Sequence, residues 1–123
     1  MEKVVINSVN HTISVEVISQ SMHALGFDIV VCDTDDNNIE ELKGDTEASA
    51  TWRKDLKSLP AGMKEVYVTG AFTFQSPDGT DYPYKASFLL LVDNQPAGAA
   101  IILSGTTVSG SGTETGVFDL IIT

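Results

Sequence analysis

The sequence predicts an all-β fold, an antiparallel β-sandwich of about seven to nine strands, and three observations carry that expectation. Apolar residues recur with period two, as on strands with one face buried. Turn chemistry separates these runs at intervals of roughly ten residues. A chain of 123 residues is long enough for one core and too short for two ordinary domains, so 1–123 reads as a single sandwich domain. Immunoglobulin-like, C2-like and jelly-roll connectivities all satisfy these observations.

The strands come in order. Ile13, Val15 and Val17 alternate with Thr12, Ser14 and Glu16, and Phe27, Ile29 and Val31 continue the pattern around Asp28. Val66, Val68, Phe72 and Phe74 line one face of a third stretch, where Gly70 predicts a bulge or a close backbone approach. Residues 84–92, 97–103 and 117–122 complete the set. Ser76-Pro77-Asp78-Gly79, Asp93 to Gly98, and Gly110-Ser111-Gly112 supply the turns. At most one short helix is expected, near 52–59, where good helix formers end at Leu59-Pro60 and the pre-proline restriction stops them; a single turn or a polar connection fits the same residues.

Charge narrows the function classes. Seventeen acids against seven bases give a net charge of −10, which argues against sequence-independent binding to nucleic acid or anionic lipid. One cysteine makes no internal disulfide and no thiolate zinc site. No apolar run reaches the roughly 18 residues of a spanning helix. Met1 to Asn7 shows neither a long apolar run nor a small-residue cleavage site. The expectation is therefore a cytoplasmic protein, or one released without a classical signal peptide.

The acidic segment 33–41 is the most chemically suggestive. Asp33, Asp35 and Asn37, with Asp36 beside them, alternate as oxygen ligands do around a hard cation, and the opening matches D-x-D-x-N. Gly44 then stands where an EF-hand needs a bidentate glutamate, and the flanks read as strand, so an EF-hand is rejected. What survives is calcium on a sandwich loop, assisted by Asp78 or Asp81 if the fold brings the loops together. Asp and Asn are equally the residues of an ordinary solvated turn.

Catalytic signals are sparse. His11 and His23 sit in no motif that adds a nucleophile and an orienting acid, and both read as surface or loop-edge residues. Asp33 beside Cys32 raises the thiol pKa instead of activating it, so Cys32 reads as a small buried hydrophobe. No nucleophile elbow, P-loop, metalloprotease helix or dinucleotide fingerprint occurs. The expectation is a protein that is not an enzyme.

Binding signals are two. Phe88-Leu89-Leu90-Leu91-Val92 and Ala99 to Leu103 are apolar on both strand faces, where a surface sheet should be polar on one. Cover within the chain, a second copy contacting Phe88, Leu89, Leu91 and Ile102, or insertion of the hairpin into a membrane as in pore-forming toxins would each answer this. Strict alternation, which a barrel-spanning strand needs, is missing, and that counts against the membrane. Tyr67 and Tyr82, with Asp78 and Asp81, could instead form a stacking surface for a sugar ring. The function expected is a non-enzymatic binding or assembly module. It self-associates as a homo-oligomer through the 88–103 hairpin. A calcium-assisted carbohydrate-binding module and a membrane-active toxin are the alternatives, and the ligand would be carbohydrate or protein.

Overall fold

The computed structural model describes residues 1–8, 10–57 and 59–123. Ten strands form two sheets: β1 Glu2–Ile6, β2 Ile13–Ser19, β3 Ala24–Asp33, β4 Asn38–Thr46, β5 Thr51–Asp55, β6 Glu65–Gln75, β7 Pro83–Val92, β8 Gln95–Pro96, β9 Ile101–Thr106 and β10 Ser111–Ile122. One sheet has the order β1-β10-β6-β3-β4. The other runs β5-β2-β7, with β8 and β9 sharing the far edge of β7. The all-β sandwich expected from the sequence is the fold. The count is ten because β7's far neighbour is split into β8 and β9 and because three charged edge strands, β1, β4 and β5, add to the six runs that the sequence marks.

Each sheet buries the face that alternation marks. Val15, Val17, Ile29, Val66, Val68, Phe72, Phe74, Phe88, Phe118 and Leu120 lie between the sheets. Phe88 on β7 meets Phe72 on β6 at 5.1 Å and Phe118 on β10 at 5.0 Å, both edge-on, the favoured aromatic geometry. A Cβ on Gly70 would lie 2.5 Å from the Phe72 ring and 3.1 Å from Phe88, so this glycine marks a close approach and not a bulge. The pairing of β6 with β3 and β10 runs through Gly70 without a register shift.

Three features differ from expectation. Residues 51–55 form strand β5, not a helix, pairing antiparallel with β2 from Ser14↔Asp55 to Ile18↔Thr51. Ser58, inside the expected helix, lies outside the described residues. A short helix earns little by itself, whereas β5 satisfies the open edge of β2 and seats Trp52 on Phe27 at 4.8 Å. Second, β1 pairs with β10 in parallel, so the sandwich is not antiparallel throughout. Third, only the β3–β4 and β7–β8–β9 connections stay within a sheet. This crossing frequency is closer to a jelly roll than to an immunoglobulin-like sandwich.

The positions of loops follow from register. Asp33 pairs opposite Val66 at the start of β6, and Ala24 opposite Gln75 at its end. The 33–37 turn and the 76–82 connection therefore sit at opposite ends of β6, separated by roughly 30 Å of extended strand.

Candidate interaction surface

The separation of those loops divides the expected sites. Asp33 turns its carboxylate into its own turn. Oδ1 accepts the amides of Asp35 at 2.9 Å and Asn37 at 3.0 Å, and Oδ2 accepts from the Asn37 side chain at 3.2 Å. The Asn37 amide is the main reason the Asp33 carboxyl is held below its ordinary value. Asp35 and Asp36 are exposed, and Asp36 takes a left-handed φ of 61°. Among the described residues no three His, Cys, Asp or Glu side chains gather where they could hold a metal ion. Asp78 and Asp81 are too far away to complete this turn's ligand set, against the sequence expectation.

The aromatic surface divides in the same way. Tyr67, opposite Cys32, lies at the acidic end and donates to Glu65 at 2.9 Å, which raises its phenol pKa. Tyr82 lies at the other end and donates to Asp78 at 3.0 Å. Asp78 also accepts from the Thr80 amide at 2.9 Å, the main cause of its lowered pKa, and Asp81 accepts from the Gly110 amide at 2.8 Å. Tyr67 and Tyr82 thus share no stacking surface. Asp78 and Asp81 brace the turns around them.

One of the two histidines also differs from its sequence reading. His23 is not a loop-edge residue. It is 0% exposed, its Nδ1 is 3.1 Å from Ser21 Oγ, and Phe74, Tyr82 and Tyr84 surround its ring edge-on. His11 is half-buried and bridges Asp93 and Asn7 at 2.6 and 3.0 Å. Cys32 is half-buried, and burial first, then Asp36 and Asp33, pushes its thiol pKa up.

The apolar hairpin resolves into inside and outside. Phe88 is 0% exposed in the core and has no surface to offer a second copy. Leu91 is 3% exposed, on the outer face of its sheet. Arg53 donates from β5 to Asn94 in the β7–β8 turn, crossing the outer face of β2. Leu89 is half-buried, and Ile102 is 52% exposed. Much of the two-sided apolar pattern is therefore answered within the chain, and Ile102 is left outside.

No family model, no curated protein and no solved structure matches the chain.

Ile102 lies on β9, and β9 is an open edge. Among the described residues the outermost strands of the two sheets give four edges. β1 carries Glu2 and Lys3, β4 carries Glu40, Glu41, Lys43 and Asp45, and β5 carries Arg53, Lys54 and Asp55. These charges resist edge-to-edge pairing. The β8–β9 edge carries none, and no charged residue occurs between Asp93 and Glu114. Pro96 lacks an amide hydrogen, and residues 97–100 arch away toward β1. Gly98, at φ +74°, approaches Val4 there, and the Ala99 amide donates to Glu2 at 3.1 Å. The free edge is thereby confined to Ile101–Thr106. The missing charge was visible in the sequence; that it falls on an unpaired edge was not.

Proposed function

We propose that this protein is a non-enzymatic assembly module that self-associates by adding a strand to its β9 edge. The observation that carries this is that β9 is the edge strand without charge in a chain of net charge −10. Two such chains repel through the acids gathered between Asp28 and Asp55. They approach at least cost along the neutral stretch from Asn94 to Thr113. Exposed Ile102 and the unpaired backbone of β9 favour the same contact. The surface is a strand edge, so of Phe88, Leu89, Leu91 and Ile102 it uses Ile102 directly.

The test is the concentration dependence of mass by native mass spectrometry and light scattering. The wild-type chain should form an oligomer that Ile102→Lys abolishes, with the two melting temperatures equal at concentrations where both chains are monomeric. A chain that stays monomeric up to millimolar concentration overturns the proposal.

A further inference from the structure

Resting on that reading, we infer that the partner at β9 is a second copy joined antiparallel about a two-fold axis through Ser104, with Val108 of each copy seated in a cleft of the other. The backbone sets the register. The Thr107 amide donates to the Tyr82 carbonyl at 3.1 Å, and the Ala97 amide to the Leu90 carbonyl at 2.9 Å. The Lys85 carbonyl faces the other way and accepts from Gln20 at 2.9 Å. Alternation along β7 therefore points Tyr84, Ala86 and Phe88 toward β9. Their register partners Gly105, Leu103 and Ile101 are consumed by that ladder. Ile102, Ser104 and Thr106 turn their N–H and C=O groups outward.

An antiparallel copy satisfies all three in one register. Ser104 stands opposite the partner's Ser104, and Ile102 stands opposite the partner's Thr106. This register makes about six backbone hydrogen bonds and keeps the outer faces of both sheets on one side. A shift by two residues along the strand leaves one of the three groups without an opposite number. The arch at one end of β9 and the Thr107–Gly110 turn at the other limit further slippage. Because the contact is the same patch on both copies, it closes as a dimer and does not propagate as a filament.

The same register uses two further features. Val108, on the turn after β9, is 75% exposed. The pairing brings the partner's Val108 turn to the Ile101 end of β9, where the 97–100 arch leaves the strand. Ala100, with Ile101, Gly116 and Val117, lines a cleft of about 500 Å³ between the sheet edges, with Met1 and Glu2 at its other wall. An exposed aliphatic side chain and the apolar wall of an open, mixed-polarity cleft thus become complementary only in the dimer.

Disulfide trapping in a Cys32→Ser background tests the register. Paired Ser104 positions would have Cα atoms about 5.5 Å apart, within the range a disulfide bridges. The two Ile102 positions would be about 14 Å apart. Oxidation should cross-link Ser104→Cys efficiently and Ile102→Cys poorly, and Val108→Asp should weaken dimerisation at least about tenfold. A dimer that cross-links equally at both positions, or that tolerates Val108→Asp, overturns this geometry while leaving edge association standing. A chain that stays monomeric overturns both.

Discussion

Asp93 Oδ2 lies 2.6 Å from His11 Nδ1 although the two residues are 82 positions apart in the chain. The other carboxylate oxygen accepts the Thr12 amide at 2.9 Å, and the Asp93 amide donates to the Thr12 carbonyl at 2.8 Å. One aspartate thus ties the approach to β2 to the β7–β8 turn. Asp93 and Asn94 both take left-handed φ values, 51° and 68°, as a two-residue hairpin requires. Replacing Asp93 with Ala should lower the melting temperature, measured by circular dichroism at pH 7. Asp93→Asn should lower it less, because an amide oxygen can still accept from Thr12.

Asp33, Asp78 and Asp93 share a pH signature. Each is held below the ordinary 3.8: Asp33 first by the Asn37 amide, Asp78 by the Thr80 amide and Asp93 by the His11 side chain. A carboxyl with a depressed folded pKa contributes stability that is fully present above its unfolded value. That contribution is lost as pH falls through the folded value. The wild-type melting temperature should therefore drop between about pH 4 and pH 2. The triple variant Asp33→Asn, Asp78→Asn, Asp93→Asn should melt lower at pH 7 and lose less on acidification. An equally steep acid drop in the triple variant would refute the assignment.

The acidic turn makes a prediction about calcium. Because Asp33 is spent on its own turn, Asp33→Ala should lower the melting temperature equally in EDTA and in millimolar calcium. Asp35→Ala, which removes an exposed carboxylate, should leave it within about 1 °C. A calcium-dependent rise in the wild-type melt that Asp35→Ala removes would restore the cation reading.

Core and edge should respond differently to substitution. Phe88→Ala removes a ring packed between Phe72 and Phe118 and should cost about 3–5 kcal/mol in urea unfolding. Ile102→Lys should stay within about 0.5 kcal/mol under monomeric conditions. Gly70→Ala should cost about 1–3 kcal/mol by overpacking against Phe72. Gly26→Ala, where a Cβ meets nothing within 4 Å, serves as its control.

The amino-acid sequence by itself determined the sandwich and most of its inner faces. Period-two alternation is local, and burying one face of a strand follows from it whatever the neighbours are. Val15, Val17, Ile29, Val66, Val68, Phe72 and Phe74 were legible for that reason, whereas at Gly70 the choice between a bulge and a close approach fell to the structure. Strands β1, β4 and β5 were not, because edge strands carry charges on both faces and lose the alternation that marks a strand. Tertiary structure decided what depends on which chain segments become neighbours. It set the acidic turn at one end of β6 and Asp78 and Tyr82 at the other, and so divided sites that had seemed able to cooperate. It enclosed His23 and Phe88, and it left β9 as the uncharged edge, because strand order and sheet pairing are long-range outcomes that no local pattern of residues encodes.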